Sequence, residues 1–86
     1  MKSVLLEAQE LVSGSRDKSY GGWSEDFTRT ARLASIITKK ELTALDIIKI
    51  MVCVKLSRSA HRYKRDNLVD IAGYIDGWET IEREKA

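Results

Sequence analysis

A short polar stretch near the amino terminus, residues 15–23, contains more charged and aromatic side chains than a connector between helices requires. Arg16 and Lys18 could hold phosphate oxygens, the arginine through its planar fork and the lysine as a point charge. Tyr20 or Trp23 could stack on a nucleobase, and Gly21 permits close approach of the backbone. The stretch therefore suits an anionic, ring-bearing ligand such as a nucleotide. The alternative is a purely structural turn, in which the rings pack inward and the cations are solvated.

Three polar side chains in the last quarter of the chain form a second candidate group. Asp66, Asp70 and Tyr74 follow one another at intervals of four residues, which places them on one stripe of a helix. Two carboxylates one turn apart could hold Mg²⁺, which takes one or two carboxylates together with substrate phosphates. Magnesium is therefore the cofactor that this pattern allows, although the same acids could instead pair with cations.

A basic stripe precedes these acids. Lys55, Arg58 and Arg62 recur at helical spacing, so their side chains lie on one side of a helix. Lys55 interrupts a strongly apolar run, and we expect its ammonium to reach solvent or to meet a carboxylate, with Asp70 as the partner. Lys55 or Arg58 would then contact phosphate. His61, the only histidine, stands in the basic connector that follows and is expected to be solvated.

Composition limits the classes of function. The chain has 86 residues, 15 Lys and Arg against 13 Asp and Glu, and a net charge of +2, so we expect one domain over residues 1–86 and no nucleic-acid binding. Its one cysteine, Cys53, lies in an apolar run and is expected to be buried, without a nucleophilic role. No pattern of a signal peptide or membrane span is visible, which favours a cytoplasmic protein. The small size, without a disulfide, favours a homo-oligomer.

Apolar periodicity predicts four helices and hence a compact all-α bundle. The first helix is expected to end at residues 13–15, with Gly14 as a left-handed cap. The second is expected to begin near Ser24, a residue type that caps helix N-termini. The buried residues expected are Val4, Leu5, Ala8, Leu11 and Val12 in the first helix, and Phe27, Ala31, Leu33, Ala34 and Ile37 in the second.

The third and fourth helices carry clearer local signals. Thr43 followed by Asp46 predicts a capping box, and the run after it is apolar on nearly every side, so this helix should be central or shared with another subunit.

Gly73 and Gly77 interrupt a fourth helix over about residues 65–83. Glycine in a helix interior costs free energy relative to alanine, which suggests either close approach of another helix, such as one from a second subunit, or a merely weak helix with a frayed end. The apolar face expected comprises Leu68, Ile71, Ala72, Ile75, Trp78 and Ile81.

Short motifs along most of the chain resemble small proteins from tailed phages and prophages. The shared pattern here is Arg16-x-Lys18-x-Tyr20-Gly21, then Phe27 and Ala31, then Glu41-Leu42-Thr43-x-x-Asp46, then Met51-x-x-x-Lys55-Leu56-x-Arg58, and last Asp66-x-x-x-Asp70-Ile71-Ala72-Gly73-Tyr74. The resemblance implies a phage source and a shared residue pattern more than an activity.

A more distant resemblance is to the nucleotide-modification-associated domains of phages, which in turn look like the MazG-type all-α nucleotide pyrophosphohydrolases. That resemblance implies a MazG-like bundle and nucleotide chemistry with Mg²⁺. MazG-like enzymes use Glu-x-x-Glu on one helix and Glu-x-x-Asp on another. This chain has Glu7-x-x-Glu10 on its first helix, but its late acids are Asp66-x-x-x-Asp70, and its third helix carries lysines. Hydrolysis is therefore less favoured than binding of a phosphorylated ligand.

The function predicted is binding of a nucleotide or another phosphorylated small molecule, by a phage protein that sequesters a host nucleotide or acts in phage nucleotide metabolism. One alternative is a reduced MazG-like, Mg²⁺-dependent nucleotide pyrophosphohydrolase, and another is a non-enzymatic inhibitor that binds a host protein. Binding is favoured over catalysis, and no catalytic residue is assigned. The predicted ligand contacts are Arg16, Lys18, Tyr20, Gly21, Lys55, Arg58, Asp66, Asp70 and Tyr74.

Overall fold

The computed structural model describes residues 1–16 and 21–85, and nearly all of them are helical. The four α-helices are α1 (Val4–Leu11), α2 (Trp23–Thr38), α3 (Ala44–His61) and α4 (Arg65–Lys85). No strand occurs in these residues, which confirms the predicted all-α bundle. None of the helices described is long and apolar enough to cross a membrane.

The amino-terminal helix runs further than its sequence suggests. Ser3 caps α1, because its hydroxyl accepts a hydrogen bond from the Leu6 amide at 3.1 Å. After Leu11 the chain stays helical through a π-helical turn, Val12–Arg16, so the predicted stop at residues 13–15 is wrong. Gly14 does not take the left-handed conformation that a cap requires, because it lies inside this turn.

The second helix begins one residue before the predicted cap. Gly22, in extended conformation, is the N-cap of α2, and Ser24 lies inside the first turn, so the prediction for Ser24 is wrong. The earlier start places Trp23 on the inner face of α2, where its ring stacks on Phe27 with centroids 5.5 Å apart. Phe27 and Ala31 are buried as predicted.

The start of α3 follows the sequence signal closely. The Thr43 hydroxyl accepts from the Asp46 amide at 3.2 Å, and the Asp46 carboxylate accepts from the Thr43 amide at 2.9 Å. Both bonds of the predicted capping box are therefore present. They satisfy two backbone donors that the first turn of a helix otherwise leaves without partners.

The central helix of the described bundle is α4, although α3 is the more apolar. α4 packs against α1, α2 and α3, whereas α3 packs against α2 and α4. The two glycines make this possible: Gly77 lies directly against the Trp23 ring, and Gly73 faces Val12. Another helix does come close at Gly77, through the Trp23 side chain and within one chain, whereas the contact at Gly73 is an ordinary one.

Several apolar side chains that were expected inside lie outside. Leu5, Leu11, Leu33, Ile37, Leu68 and Ile75 are exposed, and so is Cys53. The shift on α4 has a clear cause, because the glycines turn their own side of the helix inward and bury Val69 and Ile81 with it. On α2, the Trp23, Phe27 and Ala31 side faces α3 and α4, which leaves Leu33 and Ile37 on the solvent side.

The contact between Trp23 and α4 predicts opposite effects for two similar substitutions. A Cβ added at Gly77 would lie less than 3.0 Å from three atoms of the Trp23 ring, so Gly77→Ala should destabilise the fold by about 1–3 kcal/mol. At Gly73 the nearest atom is Val12 Cγ2 at 3.6 Å, an ordinary contact, so Gly73→Ala should be neutral or stabilising by up to about 1 kcal/mol. Thermal unfolding followed by circular dichroism compares the two, and equal stability would contradict this packing.

The capping box predicts a pH-dependent contribution to stability. Hydrogen bonds from the backbone and side chain of Thr43 hold the pKa of Asp46 below its ordinary value of 3.8. A carboxyl with a lowered folded-state pKa stabilises the protein above its unfolded pKa, and this contribution is lost as pH falls through the folded value. The melting temperature of Asp46→Asn should therefore lie below that of the wild type at pH 6–7, with the gap closing below about pH 3. A gap independent of pH would contradict the role of the charge.

Candidate functional site

A basic groove lies where α3 ends and α4 begins. It has a volume of about 740 Å³ and is open to solvent on one side. The last two turns of α3, the connector and the first two turns of α4 supply its walls. Its lining side chains are Lys55, Ser57, Arg58, His61, Arg62, Lys64, Asp66, Asn67 and Asp70.

The turn between the two helices is what brings these side chains together. α3 stops at Arg62, whose backbone is extended while its amide still donates to the Arg58 carbonyl at 3.2 Å. After two intervening residues α4 starts at Arg65, and the Asn67 amide donates to the Lys64 carbonyl at 3.1 Å. The basic stripe of α3 and the first turn of α4 therefore face the same groove.

An ion pair joins the two walls. Lys55 Nζ of α3 lies 2.7 Å from Asp70 Oδ2 of α4, which confirms the partner expected for this lysine. The Lys55 side chain is 13% exposed and that of Asp70 is 40% exposed, so the lysine is the more shielded partner. The pair neutralises a cation that interrupts the apolar run, and both of its side chains belong to residues that line the groove.

The remaining charges of the groove are mostly positive. Arg58, Arg62 and Lys64 are exposed, and within the described residues none of the three forms an ion pair. Asp66 is the acid opposite them, in the first turn of α4, where the helix dipole favours a negative charge. The amino terminus of α4 adds a partial positive charge at the same place. The groove is thus suited to an anion.

The groove contains four of the nine predicted ligand contacts. Lys55, Arg58, Asp66 and Asp70 all line the groove. The side chain of Arg16 and the whole of Lys18 and Tyr20 lie outside the described residues. The hypothesis that their loop forms a further wall of the site therefore stays a prediction.

Gly21, Trp23 and Tyr74 were also candidates for the ligand site, but their conformation and contacts have a structural explanation. Gly21 has a φ of 80°, a conformation that glycine adopts readily, and a Cβ there would meet the Glu25 carboxylate. Trp23 is buried in the core and does not face the groove. Tyr74 lies against Trp23 and the edge of Phe27, with ring centroids 6.0 and 6.2 Å away. Folding alone therefore explains why these three residues are present, and no ligand has to be invoked for them.

Sequence reasoning missed part of the lining. His61 and Lys64 belong to the cationic run of residues 58–65, so the number of cations in the connector was a usable signal. Asn67 left no signal at all. It is buried, and in the sequence it is only one polar residue near the start of a helix.

The acids do not form a metal centre in the described part of the chain. Glu7 pairs with Arg65, and Glu10 pairs with Lys2 at 2.5 Å. No three His, Cys, Asp or Glu side chains converge within residues 1–16 and 21–85. The set of acids that a MazG-like hydrolase would place around Mg²⁺ is therefore not assembled by these residues.

Comparison with known proteins identifies the family of this chain. Residues 3–82 match the family described as "Domain of unknown function (DUF6378)". The chain belongs to this family. It is 38% identical over 84 residues to the "Gene 55 protein" of Mycobacterium phage D29, covering 96% of this chain and 56% of the relative. It is 35% identical over 82 residues to the "Gene 55 protein" of Mycobacterium phage L5, covering 93% of this chain and 53% of that protein.

These matches support one part of the sequence-based resemblance. Both relatives are phage proteins, which confirms the similarity to a small phage family. The chain spans about half the length of these curated relatives, so the activity of a whole relative is not carried over to it. No solved structure matches the chain. The more distant resemblance to MazG-like and nucleotide-modification proteins stays a prediction.

The ion pair across the groove predicts a measurable coupling. Lys55→Met keeps the aliphatic stem but removes the charge, and Asp70→Asn removes the opposite charge. Because Asp70 is partly exposed, solvent screens the pair, and we expect a coupling of about 0.5–1 kcal/mol in a double-mutant cycle. Urea unfolding of the wild type, both single variants and the double variant measures it. Additive effects of the two substitutions would show that the pair contributes nothing.

Proposed function

We propose that this protein binds a nucleotide or a similar phosphorylated small molecule in the basic groove between α3 and α4. The observation that carries the proposal is the set of three cations, Arg58, Arg62 and Lys64, that face one groove without an ion-pair partner among the described residues. Like charges gathered on one concave surface repel one another, and an anion relieves that repulsion.

The size and charge distribution of the groove support a phosphorylated ligand. Small-molecule sites have volumes of roughly 300–1,000 Å³, and the groove lies within that range. Arginine binds phosphate through two parallel hydrogen bonds, so Arg58 and Arg62 would hold its oxygens while Lys64 adds a point charge. The Lys55–Asp70 pair would form the inner end of the site.

Binding explains the groove better than the two alternatives do. A pyrophosphohydrolase of the MazG type needs acids around magnesium, whereas Asp70, Glu7 and Glu10 each pair with a cation. An inhibitor of a host protein would need a docking face. The exposed apolar side chains of α2 do not by themselves specify a partner. Self-association likewise stays a prediction, as does the sequestration of a host nucleotide.

Titration calorimetry tests the proposal with inorganic tripolyphosphate and nucleoside triphosphates as probes. The wild type should bind at least one of them, with an affinity that falls as salt is raised, because the contacts are ionic. Arg62→Ala should weaken binding by roughly tenfold or more, since a hydrogen bond to a charged group contributes about 1.5–3 kcal/mol. Arg58→Ala should act in the same direction.

A matched control separates a site from a general effect of charge. Arg83→Ala also removes one cation from α4, but it lies 16 residues beyond Asn67, or about 24 Å along the helix. Its ion pair with Glu79 is exposed, so its loss should leave stability and affinity unchanged. Absence of binding by every probe would refute the proposed function, and so would equal losses from Arg62→Ala and Arg83→Ala.

A further inference from the structure

One side of α3 is exposed and yet carries no charge. We call it the outer face of α3, and it is made of Ile50, Cys53, Leu56, Ser57 and Ala60. Intervals of three and four residues connect these positions, which places them on one side of the helix. Its two large aliphatic residues are well exposed, Ile50 to 48% and Leu56 to 54%. Within the described residues, nothing covers this face.

The charged residues beside the outer face have contacts elsewhere in the chain. Lys49 holds its ammonium over the ring of Trp78 on α4, 5.1 Å from the ring centroid. The Asp46 carboxylate accepts from the Thr43 amide at 2.9 Å in the capping box. Arg58 lines the basic groove. The outer face therefore offers an apolar strip along α3.

The position of α3 in the bundle makes this strip unusual. A helix that is apolar on nearly every side is either central in its domain or covered by another subunit. Among the described helices the central position belongs to α4, whereas α3 packs against α2 and α4 and leaves its outer face in solvent. Cover by another subunit is the explanation that remains.

The size of the exposed surface supports the same explanation. A folded monomer of 9.8 kDa is expected to expose about 5,200 Å². This chain exposes 6254 Å². The excess of roughly 1,000 Å² is close to the share of about 800 Å² that one partner contributes to a stable interface of standard size. The chain thus exposes more surface than expected by about the amount that one partner would cover.

We propose that the outer face of α3 pairs with the same face of a second copy of this chain, with the two helices antiparallel and crossing at Cys53. The face is complementary to itself in this arrangement. Ile50 and Leu56 lie three residues to either side of Cys53, so Ile50 of each copy would meet Leu56 of the other, as a two-fold axis requires. The small side chain of Cys53 lets the two backbones approach at the crossing.

Charge favours the antiparallel orientation. The cations of the basic groove, Arg58, Arg62 and Lys64, lie at and beyond the carboxyl-terminal end of α3. A parallel pair would gather the cations of two grooves at one end of the dimer, where they would repel one another. An antiparallel pair keeps the two grooves apart. The pairing does not depend on the proposed function of the groove.

Analytical ultracentrifugation without any ligand tests the pairing, so its outcome is separate from that of the binding experiments. The wild type should sediment as a dimer that dissociates on dilution. Leu56→Glu should be monomeric at concentrations where the wild type is dimeric, because it places a charge from each copy in an apolar contact. Leu33→Glu is the matched control, since Leu33 is 58% exposed but lies on α2, and it should leave the dimer intact.

Three results of this experiment would overturn the proposal. The first is a wild type that is monomeric at every concentration. The second is a dimer that persists in Leu56→Glu, and the third is a dimer that is lost in Leu33→Glu. If Leu56→Glu fails to fold, sedimentation of the wild type and cross-linking still decide the inference.

Cross-linking through Cys53 tests the geometry of the pair. Cys53 is the only cysteine, and a crossing at this residue brings the two thiols of a dimer together. A short bismaleimide should therefore give a covalent dimer of the wild type and none of Leu56→Glu. Absence of a covalent dimer in the wild type would overturn the crossing at Cys53.

A thiol moved along α3 separates the two orientations. Cys53→Ser combined with Ala60→Cys places each thiol seven residues beyond the crossing, so the two lie about 21 Å apart along an antiparallel pair. The short bismaleimide should then fail, although sedimentation still shows a dimer. In a parallel pair the thiols at position 60 would stay close, so efficient cross-linking there would overturn the antiparallel arrangement.

Discussion

The bundle depends on one contact, in which the Trp23 ring packs against the backbone of Gly77. Because Gly77 has no side chain, the indole ring lies directly on α4 while stacking on Phe27 of its own helix. The indole nitrogen donates to Asp76 at 3.3 Å, so the ring is held at its edge as well as its face. This contact fixes α2 on α4 and turns the glycine side of α4 inward.

The orientation of α4 in turn decides where the groove forms. With Gly73 and Gly77 facing the other helices, the side that bears Asp70 is left beside α3, where Lys55 reaches it. The first turn of α4 then stands against the last turns of α3. A core contact just past the middle of α4 thus sets the geometry of a charged site at its amino-terminal end, because a helix transmits orientation along its length as a rigid element.

The groove shows how a charged site can be maintained in a small domain. Its one shielded cation, Lys55, is neutralised by Asp70, whereas the cations without ion-pair partners among the described residues are exposed. The domain therefore avoids the high cost of burying an unpaired charge. Its one buried polar residue in the described chain, Asn67, is neutral, so the cost of leaving it without a partner stays moderate.

The sequence by itself determined the helices, the capping box at Thr43 and the pairing of Lys55 with Asp70, because these follow from periodicity and from short-range or charge chemistry. It also indicated close packing at Gly73 and Gly77. Only the tertiary structure decided what lies against those glycines, which apolar residues stay outside, and that Asn67 is buried in a basic groove. Those outcomes depend on how whole helices rotate against one another, and local patterns carry no information about that rotation.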